Sequence, residues 1–199
     1  MKIAIYGGSF NPPHTGHVKA AIAVAETIKP DKFFIIPDYI PPHKKLDEGS
    51  PSPEQRFEMT RLAFADVLGA EVTDLEIDRE GKSYTADTIE YFSEKYPGSE
   101  LMLVIGSDML LTFTEWYRFE YLLKRCTLVV LSRFGSDMSQ LKSYADYLLK
   151  VFDAKIQIVE HEPVLTSSSV LRSVIKSGGN DPAIPAKVYE YIKDNGLYN

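Results

Sequence analysis

Residues 2–17 read KIAIYGGSFNPPHTGH, and the succession of residue types in this stretch decides the fold. Lys2–Tyr6 is an apolar run of strand length that ends in Gly7-Gly8. After a turn-rich segment, Val18, Ala21, Ile22, Ala25 and Ile28 recur at helical spacing. Outward from this strand, loop and helix, Lys32–Ile36 is a second apolar run that stops at Pro37. Asp38–Ser50 mixes Pro, Gly, Lys and Asp without period and reads as a surface loop. Ser52, Pro53 and Gln55 then make a helix start, with a cap, a proline at the first helical position and a glutamine at the third.

Leu101–Ile105 and Thr127–Leu131 are nearly continuous apolar runs, as expected of strands whose two faces are both covered by helices. Ile156–Val159 is a weaker strand. Helical patterns fall at Thr85–Tyr96, Met138–Phe152, Ser168–Lys176 and Pro185–Asp194. This alternation predicts an α/β fold, a Rossmann-like doubly wound parallel sheet in three α/β/α layers. No repeat, linker or low-complexity tract interrupts it, so residues 1–199 are expected to form one domain. In such sheets ligands sit beyond the carboxyl ends of the strands. The loops after Tyr6, Ile36, Ile105 and Leu131 should therefore meet around one crevice, which the segment before Ser168 could close.

The composition, 44% hydrophobic and 25% charged residues in a chain of 199, is that of an ordinary globular protein. No apolar run nears the roughly 20 residues of a membrane span, and MKIAIYGG lacks a signal-peptide core. No membrane partner is expected. The single cysteine, Cys126, fits a reducing cytoplasm. A net charge of −6 argues against nucleic-acid binding. Any phosphate site must be built locally, from the few clustered donors.

Those donors stand in three places. Glycines directly after a first strand let backbone N–H groups approach a phosphate, and the following helix presents its positive end. Gly7, Gly8 and Ser9 have that placement, but the third glycine of a dinucleotide fingerprint is missing and His14 and His17 hold the helix entrance. Two histidines three apart can face one way and donate to phosphate oxygens. They could also ligate a metal, yet zinc usually takes a third protein ligand. The other candidates, His43, Cys126 and His161, have no partner spacing, so no protein-bound metal is expected. Near the other end, TSSSVLRS (166–173) opens a helix. It reads either as capping alone or, with Arg172 in the first turns, as an anion site. Lys44, in the proline-stiffened PDYIPPHK (37–44), either solvates its loop or reaches a phosphate.

These strings resemble the H-x-G-H nucleotidyltransferases, and GGSFNPPHTGH resembles in particular the pyridine-nucleotide adenylyltransferases, with His14, Gly16 and His17 on the signature. Asn11 stands where bacterial nicotinate-nucleotide enzymes usually have Asp. TSSSVLR is similar to that family's I-S-S-T-x-I-R, with Thr166 for Ile and Ser169 for Thr. The resemblance implies a nucleotidyltransferase in which Gly7, Gly8, Ser9, Phe10, His14, His17, Gly106 and Asp108 bind ATP. Ser168, Ser169 and Arg172 would hold its outer phosphates, and Asp108 a ribose hydroxyl. His14, His17, Lys44 and Arg172 would carry the catalysis, with Mg²⁺ brought by the ATP phosphates.

The acceptor is read from SYTADT (83–88), which precedes a helix, and from Trp116-Tyr117-Arg118. A pyridine ring bearing a carboxylate wants a stacking surface and N–H donors, although a lone tryptophan is more often a packing residue. Both strings resemble the acceptor pocket of nicotinate-nucleotide adenylyltransferases. That implies nicotinate mononucleotide as partner, held by Lys44, Tyr84, Thr85, Trp116, Tyr117 and Arg118. The product would be nicotinate adenine dinucleotide, an NAD precursor. Nicotinamide-mononucleotide or phosphopantetheine adenylyltransferases are the alternatives, though the latter generally have Thr in place of His14. A nucleotide-binding sensor without turnover is a third, and a homo-oligomer is compatible with all of them.

Overall fold

A computed structural model describes residues 1–133, 138–162, 164 and 166–199, with Arg133 described by its backbone. Its strands are β1 (Lys2–Gly8), β2 (Lys32–Pro37), β3 (Ala70–Val72), β4 (Glu100–Gly106), β5 (Cys126–Arg133) and β6 (Lys155–His161). All pair in parallel, in the order β3-β2-β1-β4-β5-β6. The chain winds outward from β1 to β3, then crosses back to lay β4 on the other side of β1. The switch point of this Rossmann-like sheet therefore lies between β1 and β4, at their carboxyl ends.

Side chains alternate across the strands and feed two cores. Ala4, Tyr6, Phe33, Ile35, Met102, Val104 and Val129 face one way. They meet α1 (Thr15–Ile28), α2 (Pro53–Phe64), α8 (Ser168–Lys176) and α9 (Ala186–Asp194). Ile3, Ile5, Phe34, Ile36, Leu101, Leu103, Leu128 and Val130 face the other way. There they meet α4 (Thr85–Lys95), α5 (Ser107–Leu111), α6 (Phe119–Arg125) and α7 (Met138–Phe152). Burial on both faces explains why the central strands read as unbroken apolar runs.

Several elements go beyond the sequence expectation. The edge strand β3 has three residues, and α3 (Leu75–Arg79), α5 and α6 are five to seven residues long, too short for a helical or strand period to declare itself. β1 and β4 also run past their apolar stretches, to Gly8 and Gly106, because backbone pairing continues there against Pro37 and Leu131. Residues 134–137, on which part of the expected crevice falls, and residues 163 and 165 ahead of α8, lie outside the described residues.

Candidate active site

At the switch point the chain leaves β1 through Ser9–Pro13 and enters α1, with His14 as its N-cap in extended conformation. His17 Nδ1 accepts the His14 N–H at 3.2 Å, taking the part that a glutamate or glutamine plays in a capping box. Accepting at Nδ1 leaves the proton of the neutral ring on Nε2. The two imidazoles are tilted against each other with centroids 3.7 Å apart. Burial above all, then His14 and Lys44, hold His17 well below the usual imidazole range. At neutral pH it is an uncharged donor. Gly16 makes this pairing possible, because a Cβ there would lie 2.8 Å from His14 Nδ1.

The two halves of the expected site are 150 residues and more apart in sequence and adjacent in space. Ser168 Oγ donates to the carbonyl of Pro12 at 2.9 Å, and Arg172 Nη1 to that of Asn11 at 2.9 Å. Ser167 is the N-cap of α8, its hydroxyl accepting from the Val170 N–H and lying 2.8 Å from Ser169 Oγ. The result is a cavity of about 860 Å³ bordered by His14, His17, Lys44, Gly106, Asp108, Ser168, Ser169 and Arg172. A smaller one, about 220 Å³, joins Gly8, Ser9 and Phe10 to His17, Lys44, Asp47 and Arg172. Arg172 borders it already paired, since Asp47 accepts from Nη2 at 2.6 Å.

Beside these lies a third cavity of about 220 Å³, lined by Gly7, Gly8, Ser9, Lys44, Glu76, Thr85, Gly106 and Trp116 among others. Lys44 borders all three. A Cβ at Gly106 would stand 2.5 Å from an Asp108 carboxylate oxygen, so a side chain there would turn that carboxylate aside. Trp116 has Phe113 stacked at 5.0 Å and His43 tilted at 5.2 Å.

Not every expected residue reaches a cavity. Tyr84 and Tyr117 pack on each other at 4.6 Å and border none of the three. Arg118 departs from expectation most clearly. Its guanidinium pairs with Glu90 at 3.0 and 3.3 Å and lies over Tyr121, and a left-handed backbone at φ 57° sets it at the head of α6. The ion pair with α4 draws it to the surface instead of the acceptor cavity.

Other polar residues at the site carry no motif in the sequence. Asp38, Arg56 and Glu76 are buried. Arg56 pairs with Asp38 at 2.8 Å. Glu76 accepts from Thr88 Oγ1 at 2.5 Å, and burial pushes its carboxyl up from the ordinary carboxylate range. Asn11 accepts the Tyr198 hydroxyl at 2.7 Å and donates to Ser50 at 3.1 Å. The second bond uses the amide N–H₂ that an aspartate would lack. A charged residue in an otherwise apolar helical stripe, Arg56 ahead of Met59, Ala63 and Phe64, is the one sequence signal that could have pointed to this layer.

The cytidylyltransferase-like family model matches residues 5–174. The chain is 40% identical over 198 residues to a Carboxydothermus hydrogenoformans protein named "Probable nicotinate-nucleotide adenylyltransferase", covering 99% of this chain and 98% of that one. It is 34% identical over 198 residues, with the same shares covered, to the nicotinate-nucleotide adenylyltransferase of Bacillus subtilis. In fold it is similar to the Plasmodium falciparum nicotinic acid mononucleotide adenylyltransferase complexed with APC, with a TM-score of 0.76 at 20% identity over 99% of this chain and 96% of that one. The chain therefore belongs to the cytidylyltransferase-like nucleotidyltransferases and, within them, to the nicotinate-nucleotide adenylyltransferases.

Proposed function

We propose that the chain transfers the adenylyl group of ATP to nicotinate mononucleotide, releasing pyrophosphate and forming nicotinate adenine dinucleotide for NAD synthesis. The observation that carries this reading is the meeting of three cavities at Lys44, one bordered by the histidine pair and the head of α8, another by Thr85 and Trp116. In it the ATP phosphates lie along Gly8–Phe10, His14, His17, Ser168, Ser169 and Arg172, with Asp108 at a ribose. The acceptor's ring lies toward Trp116 and its carboxylate toward the N–H groups that open α4 at Thr85. Residues 1–199 act as one nucleotidyltransferase domain, supported by a single sheet that takes in all six strands.

An acceptor phosphate oxygen attacks the α-phosphorus in line, the bond from that phosphorus to the β-phosphate oxygen breaks, and pyrophosphate leaves with the electron pair. No enzyme group is modified. Catalysis is alignment of two anions and neutralisation of charge on the transferring group, and alignment alone can contribute about 7–11 kcal/mol. Neutral His17 donates from Nε2 to a phosphate oxygen, while Lys44 and Arg172 supply positive charge. Among the described residues no group of three or more His, Cys, Asp or Glu is placed to hold a metal. In this reading Mg²⁺ is part of the ATP substrate, held by phosphate oxygens and water. A cytoplasmic setting is the companion expectation, supported by a lone cysteine that is buried as a free thiol.

The test is pyrophosphate release from ATP with nicotinate mononucleotide, nicotinamide mononucleotide and phosphopantetheine offered in turn. The acid mononucleotide is expected to give the highest kcat/KM. Equal values for acid and amide, or ATP binding without release, would contradict the assignment.

A further inference from the structure

α2 turns Met59, Ala63 and Phe64 into the core, and Arg56 heads the same stripe with a side chain that is 0% exposed. A buried guanidinium is costly unless its charge is paired and its donors are met. Nη1 donates to Asp38 Oδ1 at 2.8 Å and to the Ser9 carbonyl at 2.9 Å, and Nη2 donates to the Tyr39 carbonyl at 2.9 Å. The other Asp38 oxygen accepts from Ser9 Oγ at 2.5 Å, and the Asp38 N–H donates to Gly8 at 3.0 Å. One side chain therefore fixes a carbonyl in the loop after β1 and another in the loop after β2.

The first of these bonds has a consequence one atom further on. A peptide unit is planar and trans, so its N–H points opposite to its C=O. With the Ser9 carbonyl drawn onto Arg56, the Phe10 N–H is turned away from the guanidinium. Phe10 itself sits at φ 44°, a left-handed conformation that a bulky residue rarely takes without being held. Packing of its ring against Tyr6, His17 and Phe64 secures the side chain, and Arg56 secures the peptide.

We propose that Arg56 is a positioning residue for the nucleotide donor: it holds the Ser9–Phe10 peptide from behind, so that the Phe10 N–H is presented as a ready-made phosphate donor. Asp38 is its counter-ion and the brace on Ser9. The proposal rests on the reading of the 7–17 loop as the ATP phosphate site. Arg56 touches no substrate and acts through the backbone of another loop.

Amide NMR spectra of the full chain, titrated with a methylene-bridged ATP analogue, test it. In the wild-type protein the Phe10 and His17 amides are expected to shift together. Arg56→Lys keeps a cation beside Asp38 but cannot reach the carbonyls of Ser9 and Tyr39 at once. It is expected to remain folded by circular dichroism, weaken the analogue about ten- to hundredfold, as for loss of a hydrogen bond to a charged group, and lose the Phe10 shift while His17 still responds. A folded Arg56→Lys with unchanged affinity and an unchanged Phe10 shift would overturn the proposal. So would a wild-type titration in which His17 responds and Phe10 does not, a result that needs no variant and leaves the ATP reading standing. No response anywhere would remove both.

Discussion

Asp47 and Arg172 are 125 residues apart in sequence, and the Asp47 carboxylate accepts from Arg172 Nη2 at 2.6 Å and Nε at 3.1 Å. The arginine expected to meet the ATP triphosphate is thus paired with a carboxylate from the loop that carries Lys44. In the proposed reading, incoming phosphate displaces that carboxylate. Asp47 is largely exposed, at 67%, and pairs of this kind contribute about 0.2–1 kcal/mol. Asp47→Ala is therefore expected to lower KM for ATP by about 1.4- to fivefold, with kcat changed little. Steady-state kinetics at low and high salt check it, since the advantage of the variant should shrink as salt screens the pair. A raised KM would mean that Asp47 assists nucleotide binding.

His17 is expected to matter most to the chemical step. It is half-buried at the helix entrance with Nδ1 committed to the His14 N–H, which leaves one N–H to donate. Removing one preorganised donor to transition-state charge costs about 10²–10³ in kcat, and His17→Ala should fall in that range while binding ATP. A near-normal turnover number in the folded variant would remove His17 from the mechanism. Stability offers a second readout. His17 resists protonation when folded and takes it up normally when unfolded, so the unfolded state binds more protons as pH falls below about 6.5. Wild-type stability should therefore decline below that pH, and His17→Gln should decline less.

Much of the fold was legible in the residues because both faces of the sheet are buried, which writes β2, β4 and β5 as plain apolar runs. α7 and α8 were legible to the residue from their spacing. The candidate site was legible where chemistry demands unusual strings, the two histidines around Gly16 and the serines ahead of Arg172. Its supporting layer was not. Arg56, Asp38 and Glu76 are ordinary residues that become informative only when tertiary packing removes them from water. Arg118 shows the converse. A residue next to a suggestive tryptophan went to the surface because Glu90, on another helix, lay within reach.

Glu76 makes this buried layer measurable. Its carboxyl is held above the ordinary range by burial, against the opposing bonds from Thr88 and Ser83. With the folded value raised, the contribution of Glu76 to stability is fully present below the unfolded value and is lost as pH rises through the folded one. Glu76→Gln cannot ionise. Its stability relative to wild type should improve as pH rises above the unfolded carboxylate value, and level off once the folded carboxyl is ionised too, in urea unfolding. A difference that does not change with pH would show that the carboxyl titrates as it does in the unfolded chain.

Gly16 separates activity from stability. It is the second residue of α1, and a Cβ there would meet the His14 ring at 2.8 and 2.9 Å and Val164 Cβ at 3.4 Å. The His14 ring is the part that can give way, because it is a side chain bordering a cavity of about 860 Å³. Replacing a helical glycine with alanine otherwise stabilises by about 0.5–1 kcal/mol. Gly16→Ala is thus expected to melt within a few degrees of wild type, or slightly above it, while the displaced ring breaks the 3.7 Å pairing with His17. Turnover should fall by about tenfold or more, since a misplacement of about 1 Å in a catalytic group can cost as much as 10²-fold. Thermal melting and kcat measured on one preparation decide the matter. Parallel losses of both would mean that the glycine serves the fold, and a loss of kcat alone would mean that it serves the histidines.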